Sequence, residues 1–321
     1  MSDDSILEVD DLHKSFGGIQ AVDGATFDVE TGSITGLIGP NGAGKTTTFN
    51  LVSGFLEPDG GEIRFKRQDV RELMRPPAEE SRIWTTASGV VFGTVGLSAA
   101  AATSGSTVAM AGAGAVGAAV GAGIYAGQER AKRSSGYRAT RPYQMARNGL
   151  SRTFQITREL QGMSVFENLL LAPQDQRGER LFNAWFRREA VDEDEARVRD
   201  QAEEILDLLE LNHLRDEQAG NLSGGQRKLL ELGRVLMTEP DLVLLDEPVA
   251  GVNPSLTQNL LERVRTLREE GYTFFVVEHD MEVIMNLSDT IIVMDQGDVL
   301  TEGTPEEVRQ DERVVDAYLG G

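Results

Sequence analysis

Gly39-Pro40-Asn41-Gly42-Ala43-Gly44-Lys45-Thr46 satisfies the pattern G-x-x-x-x-G-K-[ST] at every fixed position. Glycines at this spacing let successive backbone N–H groups turn inward around a polyanion, and a helix starting there adds a partial positive charge. A lysine in the place of Lys45 reaches β- and γ-phosphates, and a hydroxyl in the place of Thr46 ligates Mg²⁺. The stretch therefore predicts binding of a nucleoside triphosphate. Asp246 and Glu247 follow four apolar residues, Leu242-Val243-Leu244-Leu245. At the end of a buried strand, an Asp can hold Mg²⁺ through water and a Glu can accept a proton from an attacking water. The plainer reading is that the pair caps the next helix. A phosphate loop in the same chain favours the catalytic one. His279 follows Thr273–Val277 within Glu278-His279-Asp280, where an imidazole can donate to a γ-phosphate. His13 and His213 have no such setting and read as surface residues.

Those side chains need elements to hold them on one edge. Residues 33–38 (SITGLI) read as a short buried strand and 46–52 (TTTFNLV) as the start of a helix, the setting in which the glycine loop means phosphate binding. Leu242–Leu245 and Thr273–Val277 read as buried strands of a parallel sheet, which binds ligands at its carboxyl edge. Leu222-Ser223-Gly224-Gly225-Gln226 opens a helix running to Met237. A serine and two glycines there suit an anion, and suit an ordinary N-cap equally well. Ile6–Val9 and Thr26–Val29 read as strands of a small antiparallel sheet joined through the turn-rich Lys14–Gly18, and Glu62–Phe65 as a further hairpin strand. Phe16 is either a stacking platform for a base or a strand-end core residue. Ser151–Gln155 leads through a loop into a helix near Met163–Leu170. In Asp192–Leu211, Val198, Ala202, Ile205 and Leu209 recur at helical spacing and predict one buried stripe beneath an acidic, solvated face.

The 52 acidic residues against 31 basic ones leave a net charge of −21. Such a field repels nucleic acid and disfavours it as a partner. It suits high salt, where the Debye length falls to about 3 Å. Without cysteine the chain has no disulfide, thiolate nucleophile or thiolate-bound zinc. The first ten residues carry neither a basic nor an apolar run, so no secretory signal is expected.

One region departs from this pattern. Ile83–Gln128 is 46 residues without a formal charge, half of them Gly or Ala. Ile83–Ala102 and Thr107–Ala126 are each 20 residues long, and a helix of that length spans about 30 Å, the thickness of a bilayer core. Gly89/Gly93, Gly117/Gly121 and Gly123/Gly127 make G-x-x-x-G pairs that allow close helix contact in lipid. Glu129–Arg158 carries eight basic residues and one acidic residue, a bias expected beside the cytosolic face. Against insertion, Gly, Ser and Thr partition poorly into lipid. Three readings stand: a hairpin in contact with the membrane, a mobile cytosolic loop, and small-residue helices lying on partner subunits.

Taken together, the phosphate loop (Walker A), Gln155, the LSGGQ stretch, Asp246-Glu247 (Walker B) and His279 resemble, in order and spacing, the ATPase subunits of ABC transporters, over everything except roughly residues 76–141. The subfamily most similar is the branched-chain amino acid importers, through KSFGG, GPNGAGKTT, SRTFQ, MSVFENLLLA, LLDEPVAGVNP, VEHDM and the closing VVDAYLGG. Asn253 stands where the wider family carries Asp, as the branched-chain group shares. The resemblance implies an α/β P-loop NTPase core with an N-terminal antiparallel β-subdomain and a helical signature subdomain. It divides the chain into 1–75 (β-subdomain and Walker A), 76–141 (the Gly/Ala-rich insert), 142–238 (glutamine loop and signature) and 239–321 (Walker B, His279 and the rest of the core). It implies ATP and Mg²⁺ as cofactors. Glu247, His279 and Gln155 are the expected catalytic residues, and Thr46, Gln155 and Asp246 the metal-site residues. Phe16, Gly39–Thr46, Thr47 and Ser223, Gly224, Gly225 and Gln226 are expected on the nucleotide, the last four on that of a partner subunit. The implied partners are transmembrane permeases, a second identical or similar ATPase and, indirectly, a solute-binding protein. The implied place is the cytoplasmic face of the membrane. Related members serve urea, short amides or lipid export, and soluble ABC-type ATPases form a different class, usually with tandem units or long coiled coils.

Overall fold

Alternating apolar residues set up the first sheet. Leu7, Val9 and Leu12 of β1 (Ser5–Phe16) and Val22, Ala25, Phe27 and Val29 of β2 (Ile19–Glu30) are buried, with polar residues between them facing outward. The computed structural model describes residues 4–74, 142–153, 159–173 and 188–319. The two strands pair antiparallel from Ser5↔Glu30 to Phe16↔Ile19. The turn is only Gly17-Gly18, at φ 56° and 91°, the two positive values a tight hairpin requires and glycine adopts without strain. The sequence had suggested a longer turn, from Lys14. Asp59 explains the difference, since it accepts from Lys14 Nζ and from Ser15 N–H, each at 2.8 Å, and so keeps both residues in the strand. β4 (Gly60–Phe65) pairs with β1 and β5 (Gln68–Asp69) with β4, giving the order β2-β1-β4-β5.

The second sheet is built from continuous apolar runs, as parallel strands covered on both faces require. Its order is β10-β9-β3-β8-β7-β6, with β3 at Ile34–Ile38, β6 at Leu150–Arg152, β7 at Leu242–Asp246, β8 at Phe274–Val277, β9 at Thr290–Asp295 and β10 at Asp298–Gly303. All neighbours are parallel except β9 and β10. Phe275 joins three layers: its ring lies 5.7 Å from Phe27 of the first sheet and 5.6 Å from Phe49 of helix α1 (Lys45–Val52).

Short caps define the remaining helices. After α2 (Pro142–Arg147), Ser164 and Glu167 form a capping box at the start of α3 (Val165–Leu170). In α4 (Arg188–Leu208) the expected stripe is buried, with Val198, Ala202 and Ile205 inside the helix and Leu209 just beyond it. α3, α4 and α5 (Gly224–Leu236) pack together. Asn253 caps α6 (Pro254–Glu269), its Oδ1 accepting from Leu256 N–H at 3.0 Å, with Pro254 preset for the first turn. Asp280 caps α7 (Met281–Leu287), and α8 (Pro305–Gln310) and α9 (Glu312–Leu319) close the chain. Gly36 lets α7 lie close on β3, where a Cβ would come within 2.5 Å of Ser288 Oγ.

The chain divides into two units, residues 1–73 with 141–321 and residues 74–140. Apart from Met74, the second unit lies outside the described residues, and the Ile83–Gln128 stretch with it. No helix among the described residues is long and apolar enough to cross a membrane.

Candidate functional site

β8 lies between β3 and β7, with Val277 beside Leu37 on one side and Asp246 on the other. The glycine loop, Glu278-His279 and Asp246-Glu247 therefore leave the sheet at the same carboxyl edge. Gly44 ends the loop in a left-handed conformation at φ 96°, and a Cβ there would meet Ala21 O at 2.4 Å. A Cβ on Gly39 would meet Met294 O at 2.1 Å. Only glycine fits either position. The buried Lys45 Nζ donates to Gly39 O at 2.7 Å and Pro40 O at 3.0 Å. Burial lowers its pKa below the ordinary lysine value, and the charge of Glu247 pulls the other way. Asn41, Gly42 and Thr46 are exposed, Pro40, Gly44 and Thr47 half-buried, and Ala43 buried.

Glu247 takes a left-handed backbone conformation, φ 48°, with its N–H donated to Val277 O at 2.9 Å. Its Oε1 lies 2.6 Å from His279 Nε2. Asp246 is almost fully buried, and its Oδ2 accepts from Arg152 at 2.6 Å. Neither carboxylate caps the following helix, because Asn253 does that.

Phe16 is 47% exposed at the tip of β1, which rules out the core role. The Lys14 ammonium lies 5.5 Å from its centroid. His13 is more enclosed than its sequence suggested. Its Nε2 lies 3.0 Å from Asp11 and its Nδ1 3.2 Å from Asp23. His213 is exposed, as expected.

The signature stretch is held by its own helix. Ser223 Oγ accepts from Gln226 N–H at 3.3 Å, and Gln226 Oε1 accepts from Ser223 N–H at 2.9 Å. Gly225 is pressed against Leu256 of α6, while Ser223 and Gly224 are exposed. Gln155 lies outside the described residues.

Three residues were not singled out from sequence. Arg152 binds Asp246. Glu278, 3% exposed, accepts from Val249 N–H at 2.9 Å and His279 N–H at 3.2 Å, and burial raises its pKa. Tyr318 of α9 is half-buried, and burial raises the pKa of its phenol while the nearby backbone N–H of Gly39 pulls it the other way. A basic residue three positions before Gln155, and a Glu beside His279, were the available signals for the first two.

The chain matches the ABC transporter family over residues 22–111 and 101–250, and the branched-chain amino acid ATP-binding cassette transporter family over 299–321. The chain belongs to the ABC transporter ATPases. A probable branched-chain amino acid transport ATP-binding protein LivG of Archaeoglobus fulgidus is 36% identical, the match covering 98% of this chain and 95% of that protein. The high-affinity branched-chain amino acid transport ATP-binding protein BraF of Pseudomonas aeruginosa is 32% identical, with 98% of each covered. Among solved structures, a nucleotide-free ATP-binding cassette from an ABC transporter superposes with a TM-score of 0.65 at 31% identity, covering 99% of this chain and 100% of that one. The ADP conformation of an ATP-binding cassette of an ABC transporter gives the same TM-score and identity, with 99% of each covered.

The site of this ABC transporter ATPase fits its expected cofactors. The glycine cradle and buried ammonium suit a polyphosphate. The Thr46 hydroxyl and Asp246 carboxylate are hard oxygen donors, which suit Mg²⁺ rather than a soft metal. Among the described residues no group of three His, Cys, Asp or Glu could hold a metal alone.

Proposed function

We propose that this chain energises uptake of branched-chain amino acids, hydrolysing ATP with Mg²⁺ at the carboxyl edge of β3, β8 and β7. The observation that carries the hydrolytic reading is the 2.6 Å approach of Glu247 Oε1 to His279 Nε2 on neighbouring strand tips. In this reading the loop N–H groups orient the phosphates and Lys45 neutralises the β- and γ-oxygens. Mg²⁺, when bound, draws charge off the transferred group. Thr46 and Asp246 would hold it, with Gln155 joining them as the resemblance implies. Glu247 takes the proton of the attacking water, and His279 orients that carboxylate and donates to a γ-oxygen. Phe16 stacks on the adenine. Ser223, Gly224, Gly225 and Gln226 close on the nucleotide of a second ATPase, identical or similar.

The cargo rests on what the relatives are named for and on the match at 299–321. We assign the permease contact to a groove of about 480 Å³ beside β6, where Phe55, Tyr143 and Leu171 expose apolar surface. Exposed apolar residues gathered around a groove are a usual mark of a partner site. Attachment is then peripheral, on the cytoplasmic face. ATP-driven leucine uptake by vesicles holding this chain, its permeases and its solute-binding protein tests the reading. Uptake should be lost with Glu247→Gln. Uptake of urea or an amide in place of leucine would overturn the cargo alone. Full ATP turnover by Glu247→Gln would overturn the mechanism.

A further inference from the structure

Arg152 joins parts of the site that the sequence left separate. It ends β6, in the run that leads to Gln155. One terminal nitrogen, Nη2, donates to Asp246 Oδ2 at 2.6 Å. The other, Nη1, donates to Asn50 Oδ1 at 2.7 Å, on the helix that follows the phosphate loop, and to Ser53 Oγ at 3.0 Å, at that helix's C-cap. Its guanidinium centre lies 4.9 Å from the Phe49 centroid and 5.1 Å from that of Phe55. The Arg152 and Asp246 side chains are 13% and 11% exposed, and among the described residues Arg152 Nε has no acceptor.

A guanidinium held this firmly does two things to the carboxylate. It fixes the rotamer of Asp246, and it places a full positive charge beside a group assigned to a divalent cation. Two cationic centres sharing one carboxylate repel each other, and screening is weak where both side chains are enclosed. A structural ion pair would need only the bond to Asp246. The two extra bonds to α1 and its C-cap, with the aromatic flanks, instead hold the guanidinium at one fixed distance from the metal side of the strand.

We propose that Arg152 is a positioning residue that sets the cation affinity of Asp246, holding it weaker than the bare carboxylate would give. This rests on the reading of Asp246 as a metal-site residue. Arg152 also lines the groove assigned above to a permease. A partner that draws Phe55 or the end of β6 away would loosen the pair and tighten the cation site.

The test is Mn²⁺ binding to the full-length protein in the presence of ADP, followed by electron paramagnetic resonance, so that turnover plays no part. Arg152→Gln removes the charge and keeps a donor. It should tighten Mn²⁺ binding about tenfold, the lower end of what one neighbouring charge does to an ionisation. Its melting temperature in EDTA should fall, because Asp246 is left enclosed without its cation. Arg152→Lys keeps the charge and should stay near wild type in Mn²⁺ affinity. Asn50→Asp leaves Arg152 in place but gives it a second carboxylate; it should tighten Mn²⁺ binding as well, and it decides the matter should Arg152→Gln not fold. Unchanged or weaker Mn²⁺ binding in the folded neutral variant, or in Asn50→Asp, overturns the proposal. Asp246→Asn separates the two levels. If it binds Mn²⁺ like wild type, the metal reading of Asp246 fails and the inference goes with it. If it loses Mn²⁺ while Arg152→Gln and Asn50→Asp change nothing, only the role of Arg152 is wrong.

Discussion

Glu247 Oε1 and His279 Nε2 lie 2.6 Å apart across the tips of β7 and β8. The contact gives the left-handed turn at Glu247 a purpose, since a non-glycine residue at φ 48° is held there against its own preference. Glu247→Gln keeps the shape and loses the basicity. ATP binding should persist, while turnover in the assembled transporter drops by about 10²–10⁴-fold, the usual worth of a general base. Equal turnover in variant and wild type would remove Glu247 from that role.

Gly224 and Gly225 should respond differently to substitution. A Cβ at Gly224 meets nothing within 4 Å, whereas one at Gly225 meets Leu256 side-chain atoms at 2.9 Å. Gly224→Asp should therefore fold normally and bind ATP, but place a carboxylate against the nucleotide of the opposing subunit and stop hydrolysis. Gly225→Ala should lower the melting temperature through strain on α6. Full hydrolysis by a strictly monomeric preparation would contradict the two-subunit site behind the first expectation.

Phe16 offers a test of base stacking that is largely free of folding effects. With the ring half exposed, Phe16→Ala should leave the melting temperature nearly unchanged. Loss of a stacking contact worth about 0.5–1.5 kcal/mol should weaken ATP binding by roughly two- to thirteenfold, read by calorimetric titration. ATP affinity equal to wild type would place the adenine elsewhere.

Glu278 should carry a pH signature. Burial raises its pKa, and the N–H groups of Val249 and His279 pull it back only in part. Between the ordinary glutamate value and the raised one, the folded protein holds a proton that the unfolded chain has released. Stability from this group then falls as pH rises through that window. Glu278→Gln cannot ionise and should lose the slope, so its urea midpoint should gain on wild type as pH is raised from about 4 to 7. Midpoints that stay parallel across the range would show that Glu278 does not titrate there.

Local sequence determined the parts of this protein whose chemistry is set within a few residues. The glycine loop, the buried runs before Asp246 and His279, and the three- and four-residue spacing of the α4 stripe each carry their own backbone preference or burial pattern. The tertiary structure decided what depends on pairing between distant segments. The hairpin turn shrank to Gly17-Gly18 because Asp59, more than forty positions away, holds Lys14 and Ser15 in the strand. Arg152 met Asp246 because β6 pairs with β7 in parallel register, a neighbour relation that no local pattern encodes. Glu278 became a brace for the same reason: its burial and its bond from the Val249 N–H exist only once β7 and β8 lie side by side. Residue type and spacing fix what a side chain is able to do, and sheet order, which arises from long-range packing and hydrogen bonding, fixes what it does it to.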